Sequence, residues 1–394
     1  MVQQLQTEPH VFLPGSTIGI LGGGQLGRMT ILAGRALGYR FVVLDPVADA
    51  PAAQVADRQI IAPYDNRTAA RELAEAADVI TYEFENVDAA VAVVLERESV
   101  VPQGSALLHT TQHRLREKRA IQATGAAVTE FCAVRSEREL VDAAEKFQWD
   151  AFLKTTTGGY DGKGQWRITP EADVSAMWAD VLAHLGSLAA KADSEPEPLI
   201  VERRVPFVCE ISVVVARSTR GEIRSLPVVE NIHRNGILHQ SIVPARIPPE
   251  VALKALAAAE NIALGLNMVG TLAVEMFVTA DGEVLVNELA PRPHNSGHWS
   301  IEASVTSQFE QHLRAILGLP LGDTTLLTPV VMVNLLGQHV ERLDHWLERL
   351  PTWAKLHLYG KADAKQNRKM GHITLLNSIE QALDWTEKSA IWTP

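Results

Sequence analysis

Two acidic residues, Glu275 and Glu288, frame the most chemically suggestive stretch of this 394-residue chain. They lie in TLAVEMFVTADGEVLVNELAPRPHNSGHW, residues 271–299, which reads as two alternating strands joined at Asp281-Gly282. Asp-Gly favours a two-residue hairpin turn. In that register residue 280 faces 283 and Glu275 faces Glu288. Directly opposed Cβ atoms lie about 4.5–5.5 Å apart, and like charges there destabilise the ribbon. A hard divalent cation shared with phosphates would reconcile them, and Mg2+ suits that arrangement, with Mn2+ as a substitute. A three-residue loop would shift the register and split the pair; that alternative stays open.

A second cluster precedes it. In FLKTTTGGYDGKGQWRI, residues 152–168, a strand ends in Lys154, and Gly158, Gly159, Gly162 and Gly164 follow before a second strand closes a hairpin. No helix opens after the loop, so it is not a P-loop. Glycines at a hairpin tip make a flap whose amides can fold over phosphates, with Lys154 as a point charge. In PLIVERRVPFVCEISVVVARS, residues 198–218, a linking segment around Arg204 to Phe207 separates two strands, with Glu202 opening it and Glu210 beyond it. Such a segment offers backbone groups to adenine, and a carboxylate beyond it can accept from ribose hydroxyls. Each feature alone has a bland reading, a flexible hairpin or a surface acid. Together they account for adenine, ribose, phosphates and metal, and so predict ATP.

The elements that must hold these residues begin with a third glycine stretch, GILGGGQLGRM, residues 19–29. Gly22, Gly24 and Gly27 have dinucleotide-turn spacing after a strand, and Asp45 ends the next strand. A helix N-terminus bared by glycines suits any anion, and the glycines also serve plain helix–strand packing. With the nucleotide placed mid-chain, this turn is left for a different anion. TIGILG, RFVVLD, RQIIAP, DVITYE and SVVPQ read as strands, alternating with helical QLGRMTILAGRAL, TAARELAEA and VDAAVAVVLERE. That alternation predicts a mostly parallel sheet.

Composition bounds the rest. Apolar residues make up 46% and charged residues 21%, a globular balance. No apolar run reaches the roughly 20 residues of a membrane span, and the N-terminus lacks secretory-signal character. The net charge of −11 disfavours a nucleic-acid partner. Cys132 and Cys209 are too few for a disulfide framework and read as reduced thiols of a cytoplasmic protein. Three domains are expected, at 1–116, 117–325 and 326–394, in a homodimer. KADSEPEPL (191–199) reads as a loop within the second.

The motifs GILGGGQLGRM, TYEFENV (81–87), GGYDGKGQ (158–165), VENIHRNGILHQSIVPA (229–245), NELAPRPHNSGHWSIEA (287–303) and LYGKADAKQNRKMGH (358–372) together resemble the ATP-grasp superfamily, specifically its 5-(carboxyamino)imidazole ribonucleotide synthases. The resemblance covers nearly the whole chain. It implies an α/β and α+β chain: an ATP-grasp fold with a parallel Rossmann-like N-terminal domain and a small C-terminal domain. It assigns ATP to Arg114, Lys154, Gly159, Tyr160, Asp161, Gly162, Lys163, Gly164, Gln165, Glu202, Arg203, Arg204, Val205, Glu210, His233, Asn287 and Glu288. Mg2+ falls to Glu275 and Glu288. Aminoimidazole ribonucleotide falls to Gln25, Leu26, Glu83, Tyr160, Asp161, Arg292, Lys361 and Arg368. Bicarbonate falls near Arg292, His294 and Asn295, which with Lys154 form the expected catalytic set.

Three departures from the pattern matter. Glu288-Leu-Ala290 lacks the asparagine usual two residues after the second metal acid, Arg203 and Arg204 make the linking segment unusually basic, and Gln366-Asn367 replaces Pro-Gly. The implied reaction joins ATP, bicarbonate and the substrate's 5-amino group through carboxyphosphate. His294 either acts as an acid/base or orients bicarbonate. Lys361, Arg368, Arg292 and the first glycine turn are expected to cup the 5′-phosphate and ribose. A formate-using ATP-grasp transformylase, an NAD-dependent oxidoreductase and a silent ATP-binding regulator are the competing readings. The first should lack YGK…RKMGH.

Overall fold

In a computed structural model, which describes residues 10–158, 164–189 and 199–392, three sheets organise the chain. The first comes from alternating strands and helices: β1 (Thr17–Leu21), α1 (Gln25–Ala36), β2 (Arg40–Leu44), β3 (Arg58–Ile60), α2 (Arg67–Ala76), β4 (Val79–Tyr82) and α3 (Ala89–Glu98). Its order is β3-β2-β1-β4, all parallel. Asn66 and Asp88 cap α2 and α3 by accepting from first-turn amides. The expected strand SVVPQ is not one. Val100 only lends its carbonyl to the Ile80 N–H at 2.8 Å, and Pro102 has no N–H to extend a ladder.

Helices α4 (Ser105–Thr111) and α5 (Arg114–Ala123) lead to the second sheet. It comprises β5 (Phe131–Val134), β6 (Ala151–Lys154), β7 (Gln165–Ile168) and β8 (Leu199–Arg203), with α6 (Glu137–Lys146) and α7 (Val174–Ala189). The order β5-β8-β6-β7 is antiparallel and sets Phe152 against Glu202.

The third sheet has nine antiparallel strands: β9 (Phe207–Arg217), β10 (Ile223–Ser225), β11 (Val229–Arg234), β12 (Ile237–Val243), β13 (Gly270–Thr279), β14 (Val284–Ala290), β15 (Val330–Leu336), β16 (Ala354–Leu358) and β17 (Lys369–Leu375). The main order is β14-β13-β9-β11-β12-β15-β17-β16, with β10 beside β9. The last three strands therefore continue the sheet that holds the acidic pair. Side chains alternate across a strand. Ile211, Val213, Leu272, Val274 and Met276 pack on α8 (Pro249–Gly265). On the other face Val214, Ala273 and Ala290 pack on Trp299, beside Ser212, Glu275 and Glu288.

Beyond β14, α9 (Ser300–Ala303) and α10 (Gln308–Ile316) turn back toward the first sheet, and α11 (Gly337–Val340), α12 (Leu343–Trp346) and α13 (Ile379–Lys388) surround the last strands. Leu313, Ile316 and Leu317 share a core with Ile18, Ile20 and Phe41. His312, also on α10, joins two sheets. Its Nδ1 accepts from the Thr271 N–H at 3.2 Å, and its Nε2 lies 2.8 Å from Thr81 Oγ1.

The acidic pair meets, but by another route than a two-residue turn. The hairpin loop has three residues: Thr279 faces Glu283, and Gly282 takes φ +77°. That shift alone would split the acids. A bulge opposite Glu275 and Met276 leaves Asn287 as an extra residue and restores the opposition of Glu275 and Glu288.

Candidate active site

The acids on β13 and β14 face a ring of cations and imidazoles. Burial and the neighbouring charge of Glu275 push the Glu288 carboxyl up, while Arg114 Nη1 stands 3.6 Å from it. Burial opposes the charge on Glu275, but His294, His233 and Lys369 outweigh it and bring that carboxyl down to about 2. His294 Nε2 lies 3.0 Å from Glu275 Oε1. Among the described residues no cluster of three or more His, Cys, Asp or Glu forms a complete metal cage. Two carboxylates on one side suit Mg2+, which keeps waters and phosphate oxygens as its remaining ligands.

Lys154 ends β6 and donates to Glu202 Oε2 at 2.8 Å. Glu202 is 3% exposed, and Lys118 and Lys154 overcome the cost of its burial to hold it near 2. Its other oxygen, Oε1, is buried without a hydrogen-bond partner. Lys118, 2% exposed, donates to the Asn287 carbonyl at 2.9 Å. Glu117 beside it is also buried, its carboxyl pushed well up by burial and by Glu288. The sequence reading missed both, because RLREKR looks like a solvated helix face.

Glu210 and His233 pair at 2.9 Å across β9 and β11. Arg203 and Arg204 point elsewhere: they bind Glu130 and Asp150 at 2.9 Å on the exposed surface. Their charges therefore point away from the interior, and their N–H groups donate to the Glu130 and Asp150 carbonyls at 2.9 Å, with Val205 following between the strands. Gly164 takes φ +69° and its carbonyl accepts from the Thr155 N–H, which closes the hairpin base where Gln165 pairs with Lys154. Gly159, Tyr160, Asp161, Gly162 and Lys163 lie outside the described residues, as does most of KADSEPEPL.

At the first glycine turn an internal acid fills part of the expected anion socket. Both carboxylate oxygens of Glu83 already accept from it, one from the Gly24 N–H and one from the Gly27 N–H. Asp45 accepts from the Gly23 N–H at 2.7 Å and from Tyr64. Side chains on Gly22 or Gly24 would collide with Glu83. The glycines thus make room for an internal acid, which takes the Gly24 and Gly27 amides but not those of Gln25 and Leu26 at the start of α1. Burial pushes the Glu83 carboxyl up, against the pull of the two amides. Leu26 is buried against Met29, Phe309 and Tyr359, while Gln25 stays partly exposed at the helix start.

Arg292 Nη2 binds Glu85 at 2.6 Å; TYEFENV thus supplies a partner that the sequence reading had not assigned. Asn295 is 8% exposed and its Nδ2 has no partner, a buried donor beside His294. Lys361 donates to the Lys369 carbonyl at 2.7 Å and lies 5.7 Å from the Tyr359 ring centre. Burial, helped by Arg368 and Lys369, lowers its ammonium to about 8. Arg368 is exposed and donates to the Asp363 carbonyl. The loop between them needs no Pro-Gly: Asn367 adopts φ +63°, a conformation asparagine tolerates, and its N–H donates to Gln338 at 2.9 Å.

Residues 16–112 match the ribonucleotide synthetase preATP-grasp domain, 119–309 the ATP-grasp domain, and 330–384 the phosphoribosylaminoimidazole carboxylase C-terminal domain. An N5-carboxyaminoimidazole ribonucleotide synthase of Bacillus subtilis (strain 168) is 49% identical over 379 residues, 96% of each chain. The chain belongs to the N5-carboxyaminoimidazole ribonucleotide synthase family. Another synthase, from Brucella melitensis, is 44% identical over 92% of this chain and 96% of its own. The crystal structure of an ADP complex of an N5-carboxyaminoimidazole ribonucleotide synthetase superposes with TM-score 0.91 at 51% identity, over 98% of both chains. A synthase from Aspergillus clavatus, in complex with ADP and 5-aminoimidazole ribonucleotide, gives TM-score 0.83 at 29% identity, over 95% of this chain and 97% of that one.

Proposed function

We propose that the chain carboxylates the 5-amino group of 5-aminoimidazole ribonucleotide, using ATP and bicarbonate and releasing ADP and phosphate. The observation that carries this is the convergence of an acid pair on the third sheet, a Lys154–Glu202 pair on the second sheet, joined to it through Lys118, and the Arg292–His294–Asn295 turn. Glu275 and Glu288 would hold Mg2+, which supplies charge compensation at the β- and γ-phosphates. Lys154 and Arg114 orient the triphosphate. Arg292 and the buried Asn295 amide orient bicarbonate, whose oxygen attacks the γ-phosphorus as the bond to ADP breaks, while His294 beside them holds Glu275. Phosphoryl transfer of this kind needs mainly positioning and electrostatic stabilisation. The resulting carboxyphosphate is a mixed anhydride. The substrate amine attacks its carbonyl carbon, loses a proton, and expels phosphate with the oxygen that came from bicarbonate. No enzymic nucleophile is required.

Lys361 and Arg368, on the β16–β17 connection, form the cationic side of the ribonucleotide site. Glu83, held by the glycine turn, is placed to accept hydrogen bonds from the ribonucleotide, and Tyr160 and Asp161 belong to the same proposal. A cytoplasmic homodimer fits the exposed Leu32, Val47, Ile61 and Val93 of the N-terminal α/β segment; sedimentation as a monomer would contradict the dimer. The activity is tested by ADP release, expected only when bicarbonate and aminoimidazole ribonucleotide are both present. Equal release with formate in place of bicarbonate would point to a transformylase.

A further inference from the structure

A row of polar side chains crosses the sheet beneath the acid pair, where an apolar core would be expected. Ser212 on β9 pairs directly with Glu275 on β13, Asn231 lies on β11, and Ser241 opposite it on β12. Ser212, Ser241 and Ser296 are fully buried, and Asn231 is 6% exposed. They form one continuous chain. Asn231 Nδ2 donates to Ser212 Oγ at 2.8 Å, and Ser212 Oγ donates to Ser296 Oγ at 2.8 Å. Ser296 Oγ then lies 2.9 Å from His294 Nδ1, and His294 Nε2 lies 3.0 Å from Glu275 Oε1. At the far end Ser241 Oγ donates to Asn231 Oδ1 at 3.1 Å.

The polarity of the chain follows from one fixed donor. The Ser296 backbone N–H also points at His294 Nδ1, at 3.3 Å, and a backbone N–H can only donate. His294 Nδ1 must therefore carry the lone pair, which leaves the ring hydrogen on Nε2, facing Glu275. The reverse orientation would set two hydrogens against each other between Nδ1 and Ser296.

We propose that Asn231, Ser212 and Ser296 are positioning residues: through His294, held as the Nε2–H tautomer, they fix the orientation of the Glu275 carboxylate. This rests on the reading of Glu275 as a metal carboxylate. Such outer partners typically contribute 10–100-fold to metal affinity or activity. With Nδ1 on Ser296 and Nε2 on Glu275, His294 takes neither the acid/base role nor the bicarbonate-orienting one but holds the carboxylate.

The test has a direct and an indirect arm. In the unliganded wild-type enzyme, 15N spectra of His294, assigned with a His294→Gln variant, should show Nδ1 as an unprotonated, hydrogen-bonded acceptor; a proton on Nδ1 overturns the proposal. Mn2+ binding to the ADP complex, read by electron paramagnetic resonance, should weaken 10–100-fold in Ser212→Ala and Ser296→Ala, with metal-free ADP affinity unchanged. Ser218→Ala removes an equally buried hydroxyl outside the chain and should leave Mn2+ binding unaltered. Affinities within twofold of wild type in both chain variants overturn the proposal. If Glu275→Gln also leaves Mn2+ binding intact, the metal reading itself fails; if only the serine variants do so, the metal reading stands and the positioning role falls. Should the variants not fold, the wild-type spectrum decides alone.

Discussion

Glu288 is the residue on which the proposed metal role and stability pull apart. Its carboxyl is pushed up by burial and by Glu275, so the pair is a strain on the folded protein when no cation is present. Glu288→Gln removes that repulsion and keeps the shape. Turnover should fall by roughly 10²–10³-fold, as for loss of one preorganised electrostatic group, while the melting temperature stays equal or rises. A large drop in melting temperature would show that the acid is structural. Lys361 gives the second prediction at this scale. Its ammonium sits near 8 because it is buried among cations. A phosphate ligand needs it charged, so kcat/KM for the ribonucleotide should decline as pH rises through about 8. Lys361→Arg, which stays charged, should move that limb upward; an unchanged limb would remove Lys361 from the phosphate site.

The residues legible in the sequence were those whose chemistry repeats as motif. Lys154, Glu202, Glu275 and Glu288 are examples. Lys118, Glu117 and the Ser212 chain were not legible, because a lysine in a helical charge run and single serines in strands carry no local signature. Their roles come from burial, which only the assembled sheets create.

At the scale of elements, the hairpin shows how a correct pairing can rest on an incorrect turn. Asp281-Gly282 suggested a two-residue connection; the chain uses three residues and recovers the register at Asn287. A bulge has no sequence mark of its own, so the compensation was invisible. The β16–β17 connection depends on a close approach instead. Gly337, at the start of α11, donates its N–H to the Arg368 carbonyl at 3.0 Å, and a Cβ there would collide with the Lys365 and Ala364 carbonyl oxygens. Backbone cannot yield as a side-chain tip can. Gly337→Ala should displace the Lys361–Arg368 connection, raise KM for the ribonucleotide about tenfold, equivalent to ~1.4 kcal/mol, and leave KM for ATP unchanged. Equal changes in both constants would argue for general damage.

At the scale of the molecule, the first sheet and the third are joined through α10, and His312 is the polar part of that joint. Burial lowers its ring to about 4 from an ordinary 6.5. Between those values the unfolded chain binds a proton that the folded chain does not, so stability falls as pH drops through the window. By pH 4 the loss from this residue alone reaches about 3 kcal/mol. His312→Gln should lower stability at neutral pH and flatten the acid limb of the melting-temperature profile between pH 6.5 and 4. An identical slope would assign the acid sensitivity to other groups, such as His239 and His339, which burial also lowers to about 4. The alternation of strands and helices announced the parallel first sheet. Nothing local announced that β15 would pair with β12 and extend the central sheet, a contact between segments almost ninety residues apart.

The central claim is that bicarbonate is phosphorylated before it meets the amine. Its most direct measurement is the isotopic composition of the released phosphate after turnover with 18O-labelled bicarbonate. The reaction described predicts one heavy oxygen in each phosphate, carried across when the carboxyphosphate C–O bond breaks. Carboxylated product formed alongside wholly unlabelled phosphate would contradict it.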